Sequence, residues 1–196
     1  MKRKKGFTII EMMVAMAVLS MLVIAMSRIF QQSLVATDTG YNLVKGNLVG
    51  RTIMQYVADD LSNCTLWIGG GDREFNRVFM TTDSDTDALQ TVKYPPLNGG
   101  ILERTVKYYK LDGTLKSETT DSLFEPSEGA NKTIEIVDFQ INPDNNSNPT
   151  YFDIFLSVTI KKYVDADEDS IDTKNFATRV YLQNNNRYKY GKYSEL

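Results

Sequence analysis

The stretch MKRKKGFTIIEMMVAMAVLSMLVIAM, residues 1–26, decides how the whole chain is read. Lys2, Arg3, Lys4 and Lys5 precede Gly6, and from Phe7 to Met26 a single charged residue, Glu11, interrupts an apolar run of 20 residues. At about 1.5 Å rise per residue such a run spans about 30 Å, the hydrocarbon thickness of a bilayer. Basic residues at the start hold the N-terminus on the cytoplasmic side. A secretory signal peptide needs small residues at a cleavage site after its apolar core. Here the core runs into Ser27-Arg28-Ile29-Phe30, which lacks that pattern. A plain membrane anchor accounts for the length but not for Glu11, because a carboxylate inside a spanning segment costs roughly 2.5–3.5 kcal/mol and is retained for a function.

Composition narrows the chemistry. The chain has 196 residues, 42% hydrophobic and 24% charged, enough for one folded domain plus an extended element. It has no histidine, which excludes His-based triads, His general bases and His metal ligands. Cys64 is the only cysteine, so neither an intrachain disulfide nor a thiolate zinc cage can form; it reads as a small buried apolar residue. Taking the four leader cations from 22 basic residues leaves 18 against 25 acidic, a net charge of −7. An acidic mature chain is a poor nucleic-acid binder.

Gly6-Phe7-Thr8-Ile9-Ile10-Glu11, behind a short basic leader and ahead of an apolar helix, resembles the class III leader of type IV prepilins and pseudopilins. The resemblance implies that prepilin peptidase cuts between Gly6 and Phe7 and methylates the new α-amino group of Phe7. It also implies that Glu11 neutralises the α-ammonium of an adjacent subunit, a pairing that sets axial register among apolar helices. Gly6 suits a scissile position because it leaves the backbone accessible. The implied partners are prepilin peptidase, other minor and major pseudopilins or pilins, and the inner membrane. That membrane would be crossed once, with the N-terminus cytoplasmic and the head periplasmic.

Beyond the membrane-length run, apolar residues recur at Phe30, Leu34, Tyr41, Val44, Leu48, Ile53, Val57 and Leu61, at helical intervals. No proline occurs before Pro95, so the spacing predicts a helix over 7–63, loosened around 37–50 by Gly40, Gly46 and Gly50. Gly69-Gly70-Gly71 marks a break. Asp112-Gly113 between the β-prone runs 104–111 and 114–118 predicts a hairpin. Further strands are expected at 75–82, 89–94, 132–141, 151–163 and 176–183. The alternation of Ile134 and Ile136 slips by one before Phe139 and Ile141. Loops are expected at 95–100, 143–150 and 165–175. The fold expected is α+β and pilin-like, a long N-terminal helix packed on a mainly antiparallel β-sheet head. Its divisions are a leader at 1–6, a membrane and stalk helix at 7–63, and a head at 64–196.

The helix ending Asp59-Asp60-Leu61, the run YYKLDGTLK at 108–116 and FATRVYLQN at 176–184 resemble the J-type minor pseudopilin of type II secretion and the related W-type minor pilins. Arg28 stands where major pilins commonly have a helix-bending proline, while Gln183 departs from the arginine common in the last motif. The resemblance implies a non-enzymatic minor pseudopilin, at the tip of a pseudopilus, that helps start assembly for protein export. The alternative is a minor pilin acting in adhesion, motility or DNA uptake. Asp83, Asp85 and Asp87, and Asp165, Asp167, Asp169 and Asp172, could offer oxygen ligands to calcium. Neither run continues as an EF-hand loop, so both read as solvated turns; calcium is the one cofactor left open. No paired carboxylate accompanies a nucleophile, and the Tyr/Lys tail after Asn184 reads as an unpacked polar terminus rather than a stacking platform. No small-molecule substrate and no nucleic acid is expected.

Overall fold

Thr8 opens the chain's only helix among the described residues. In the computed structural model, which describes residues 8–78, 89–126, 133–147, 149–161 and 170–182, α1 (Ile9–Ser62) runs for 54 residues without interruption. Thr8 is its N-cap and Glu11 completes a capping box; Asn63 closes the far end. The loosening expected around 37–50 is absent. Gly46 and Gly50 lie where the helix presses on the head. A Cβ at position 46 would overlap the Ile160 side chain, and one at position 50 would overlap the Phe176 ring. Close approach, rather than a break, is what these two glycines provide.

Among the described residues the head is built from two antiparallel sheets, where the sequence suggested one. The first contains β1 (Leu66–Gly69), β2 (Glu74–Val78), β3 (Leu89–Lys93), β4 (Leu102–Tyr109) and β5 (Leu115–Phe124), neighbours in that order. The second contains β6 (Ile134–Pro143), β7 (Tyr151–Lys161) and β8 (Ile171–Tyr181). Every strand pair is antiparallel. With the helix, this is the α+β arrangement expected of a pilin-like chain.

The hairpin at Asp112-Gly113 forms as expected. Gly113 N–H donates to Lys110 O at 3.0 Å, Gly113 sits at φ 83°, and Asp112 Oδ1 accepts from Thr114 N at 2.9 Å. Only a residue without a side chain takes that φ at no cost. β5 extends past the expected end to Phe124, because Thr119 and Thr120 continue opposite Val106 and Thr105. The slip in β6 is a bulge between Ile136 and Asp138, which keeps Ile134, Ile136, Phe139 and Ile141 all facing inward.

Three expectations need correction or limits. β1 was not foreseen, since four residues against a glycine run carry little strand signal. Residues 171–175 were expected in a loop but begin β8, pairing with 157–161 of β7. Asp172 and Lys174 are polar there because β8 is a sheet edge, where charge is tolerated and protective. Residues 79–82 of the expected strand 75–82 lie outside the described residues.

The core joins all three layers. Ile53, Val57 and Leu61 of α1 are buried with Phe152, Ile154, Leu156, Val158 and Ile160, the inward set of β7. Aromatic rings tie the sheets together: Trp67 meets Phe152 at 5.0 Å between centroids, and Tyr94 meets Phe139 edge-on at 5.8 Å. Arg73, from the turn before β2, donates to Phe139 O at 2.6 Å and lies 5.1 Å from the same ring. Cys64 is fully buried in this cluster.

Candidate functional site

The motif at the start of α1 has a defined geometry from Thr8 onward. Glu11 Oε2 accepts from the Thr8 backbone N–H at 2.8 Å and from Thr8 Oγ1 at 3.0 Å. In return, the Glu11 backbone N–H donates to Thr8 Oγ1 at 3.2 Å. This reciprocal box satisfies donors that every helix start leaves open. The carboxylate also sits at the positive end of the helix dipole. Glu11 therefore has local partners in an otherwise apolar segment, which lowers the cost of carrying it there. Gly6 and Phe7, the expected cleavage and methylation positions, lie outside the described residues.

From Ile9 to Met26 the large apolar side chains are exposed on all sides of the helix. This segment is long and apolar enough to cross a membrane. The Ser20 hydroxyl in this segment is satisfied locally, its Oγ donating to Met16 O at 2.7 Å. A surface of this kind needs lipid or other helices around it.

The opposite end of α1 carries a second charged site, which the sequence reading quoted but did not interpret. Asp60 is 5% exposed and accepts four hydrogen bonds. Arg77 Nη1 donates at 2.8 Å, Arg104 Nε at 2.6 Å and Nη2 at 2.9 Å, and the Tyr94 hydroxyl at 2.6 Å. The Asp60 hydrogen bonds raise the pKa of Arg104 further above its ordinary value. Burial, and then the Asp60 charge, push the Tyr94 phenol well up. The arrangement pins the helix end to β2, to β4 and to Tyr94 just after β3. Asp60 falls on the same helical face as Ile53 and Val57, which is the signal that marks it as buried. Lower on that face, Asn42 Nδ2 donates to Lys161 O at 3.3 Å.

Of the acidic runs weighed for calcium, Asp83, Asp85, Asp87, Asp165, Asp167 and Asp169 lie outside the described residues. Asp172 pairs with Lys174 at 2.9 Å in β8. Among the described residues no group of three or more His, Cys, Asp or Glu side chains is placed to hold a metal. The tail after Asn184 also lies outside the described residues.

Residues 1–27 match the family model described as the prokaryotic N-terminal methylation motif. No curated protein and no solved structure matches the chain. The match covers the leader and the start of α1 and ends well before the head. The match marks a type IV pilin-like signal at residues 1–27, and the long helix followed by antiparallel sheets is a pilin-like α+β arrangement.

Proposed function

We propose that this chain is a minor pseudopilin: a non-enzymatic subunit at or near the tip of a type II secretion pseudopilus that helps initiate assembly for protein export. In this reading residues 1–6 are the leader, 7–63 the membrane and stalk helix, and 64–196 the head. The observation that carries it is the methylation motif placed on a helix that continues unbroken from Ile9 into the core of the head. Such a helix transmits position rigidly, so register set at Glu11 is register set for the head. The J-like features support the minor-subunit assignment. Arg28 sits within uninterrupted helix where a major pilin bends at proline, and the hairpin at Asp112-Gly113 is formed.

Glu11 supplies the register. Its carboxylate is held at the helix start by Thr8, ready to meet the methylated α-ammonium of a neighbouring Phe7 as the subunits pack. Prepilin peptidase acts first, on the cytoplasmic side of the inner membrane, at Gly6-Phe7. Gly6→Ala is expected to leave the leader uncut. Glu11→Ala is expected to be processed normally but to enter filaments several-fold less well; normal incorporation would remove the register argument. Deleting the gene tests the secretion assignment. Export should fail while twitching motility persists, whereas lost twitching with intact export would move the chain to a type IV pilus.

A further inference from the structure

The outer face of the second sheet carries an aromatic ring that is left open. Phe155 stands outward from β7, the central strand, and is 43% exposed. Its cross-strand neighbours are Gln140 of β6 and Ala177 of β8, and the Ala177 methyl is too short to shield the ring. One row along the strands, Asp138, Ser157 and Asn175 lie side by side on the same face. These six residues line an open cleft of about 470 Å³. The face treats another of its aromatics differently. Tyr151 lies 5.8 Å from the Tyr181 ring, and the Arg179 guanidinium sits 4.1 Å over it while donating to Asp153 at 2.7 and 2.8 Å. Among the described residues no ring or guanidinium stacks on Phe155 in that way.

The polar groups around the ring hold one another in place. Gln140 Nε2 donates to Asp138 Oδ2 at 2.8 Å, and Ser157 Oγ donates to Asn175 Oδ1 at 2.8 Å. Asp138 Oδ1 then remains to accept on the β6 side, and amide N–H groups of Gln140 and Asn175 remain to donate on either side. A hydroxyl both donates and accepts, so this set around an apolar ring suits a polyol. Other occupants fit less well. A packed helix needs contiguous apolar surface, and here amides and a carboxylate border the ring. An extended peptide adds at a sheet edge, not over a central strand. An anion would meet Asp138; Arg73, whose charge acts on Asp138, is turned onto Phe139 O. We propose that the cleft binds a neutral, β-linked chain of pyranose sugars, with one ring stacked on Phe155 and its hydroxyls held by Asp138, Gln140 and Asn175. Equatorial substituents give such a ring flat C–H faces, which complement the negative face of an aromatic side chain. The inference is independent of which filament the subunit serves.

Titration calorimetry of the full-length chain in a sugar-free zwitterionic detergent tests this, with cellotetraose as the probe. Cellotetraose should bind saturably. The same chain with its primary hydroxyls oxidised to carboxylates should bind several-fold more weakly, because Asp138 repels it. Phe155→Ala and Asp138→Ala should each weaken cellotetraose binding about tenfold, the scale of one stacked ring or one hydrogen bond to a charged group. Ala177→Glu keeps the Phe155 ring but fills the cleft, and should abolish binding. Thr173→Ala, on the same face outside the cleft, should leave binding unchanged. A melting temperature for each variant separates lost binding from lost fold. No saturable binding of cellotetraose to the unaltered chain would overturn the proposal. Undiminished binding by folded Phe155→Ala and Ala177→Glu would remove the cleft as its site. Equal binding of the carboxylated chain would overturn the assignment of a neutral ligand.

Discussion

A carboxylate buried at the end of an apolar helix face persists only where donors fill its lone pairs, and at Asp60 two arginines and a tyrosine do so. Removing that carboxylate leaves two cations facing each other in a half-buried site. Asp60→Ala is therefore expected to destabilise the head by about 3–5 kcal/mol, read by denaturant unfolding of the full-length protein in detergent. A loss below about 1 kcal/mol, the scale of a surface pair, would show that the cluster is not what joins helix to sheet. Tyr94 adds a pH dependence of defined sign. Its folded pKa is raised by burial and by Asp60, so its contribution is fully present below the unfolded value of about 10 and fades as pH rises through the folded one. Tyr94→Phe should flatten the alkaline fall in stability; an unchanged slope would assign that fall to other groups. At this scale the sequence was readable only in part. The position of Asp60 on the buried helical stripe could be counted, but its partners lie 17, 34 and 44 residues away. No local pattern brings Arg77, Tyr94 and Arg104 together; only the sheet does.

At the scale of elements, α1 shows how propensity and packing pull apart. Gly40, Gly46 and Gly50 each weaken an isolated helix by about 1 kcal/mol relative to Ala, and on that ground a loosened segment was expected. The head reverses the sign for two of them. Gly40 has no atom near a would-be Cβ, whereas Gly46 and Gly50 face Ile160 and Phe176. Gly40→Ala should therefore raise stability by about 0.5–1 kcal/mol, while Gly50→Ala should lower it by about 1–3 kcal/mol through overpacking. Equal effects at the two positions, measured by thermal unfolding, would contradict the close packing of helix on β8. Among strands, those with local signals were legible. The Asp112-Gly113 turn announces its hairpin, and the slip in Ile134–Ile141 announces its bulge. β1 and the start of β8 were not legible, because short or polar edge strands are defined by the neighbour they pair with.

For the whole molecule, the two sheets and the helix form a head whose core includes the upper half of α1, while the lower half projects with its apolar surface uncovered. The methylation motif and the apolar run could be read directly, since each depends on residues close together in the chain. The division of the head into five and three strands could not, because it depends on which distant strands find each other. The acidic runs that include Asp83 and Asp165 are read as solvated turns, so the melting temperature should be the same in millimolar calcium and in a chelator. A rise with calcium would make them ligands. The most direct test of the account is the mass of the chain's N-terminal peptide, taken from host membranes. The mature chain should begin at N-methylated Phe7, with residues 1–6 removed. An intact leader, or cleavage after the apolar helix near Ser27, would contradict it.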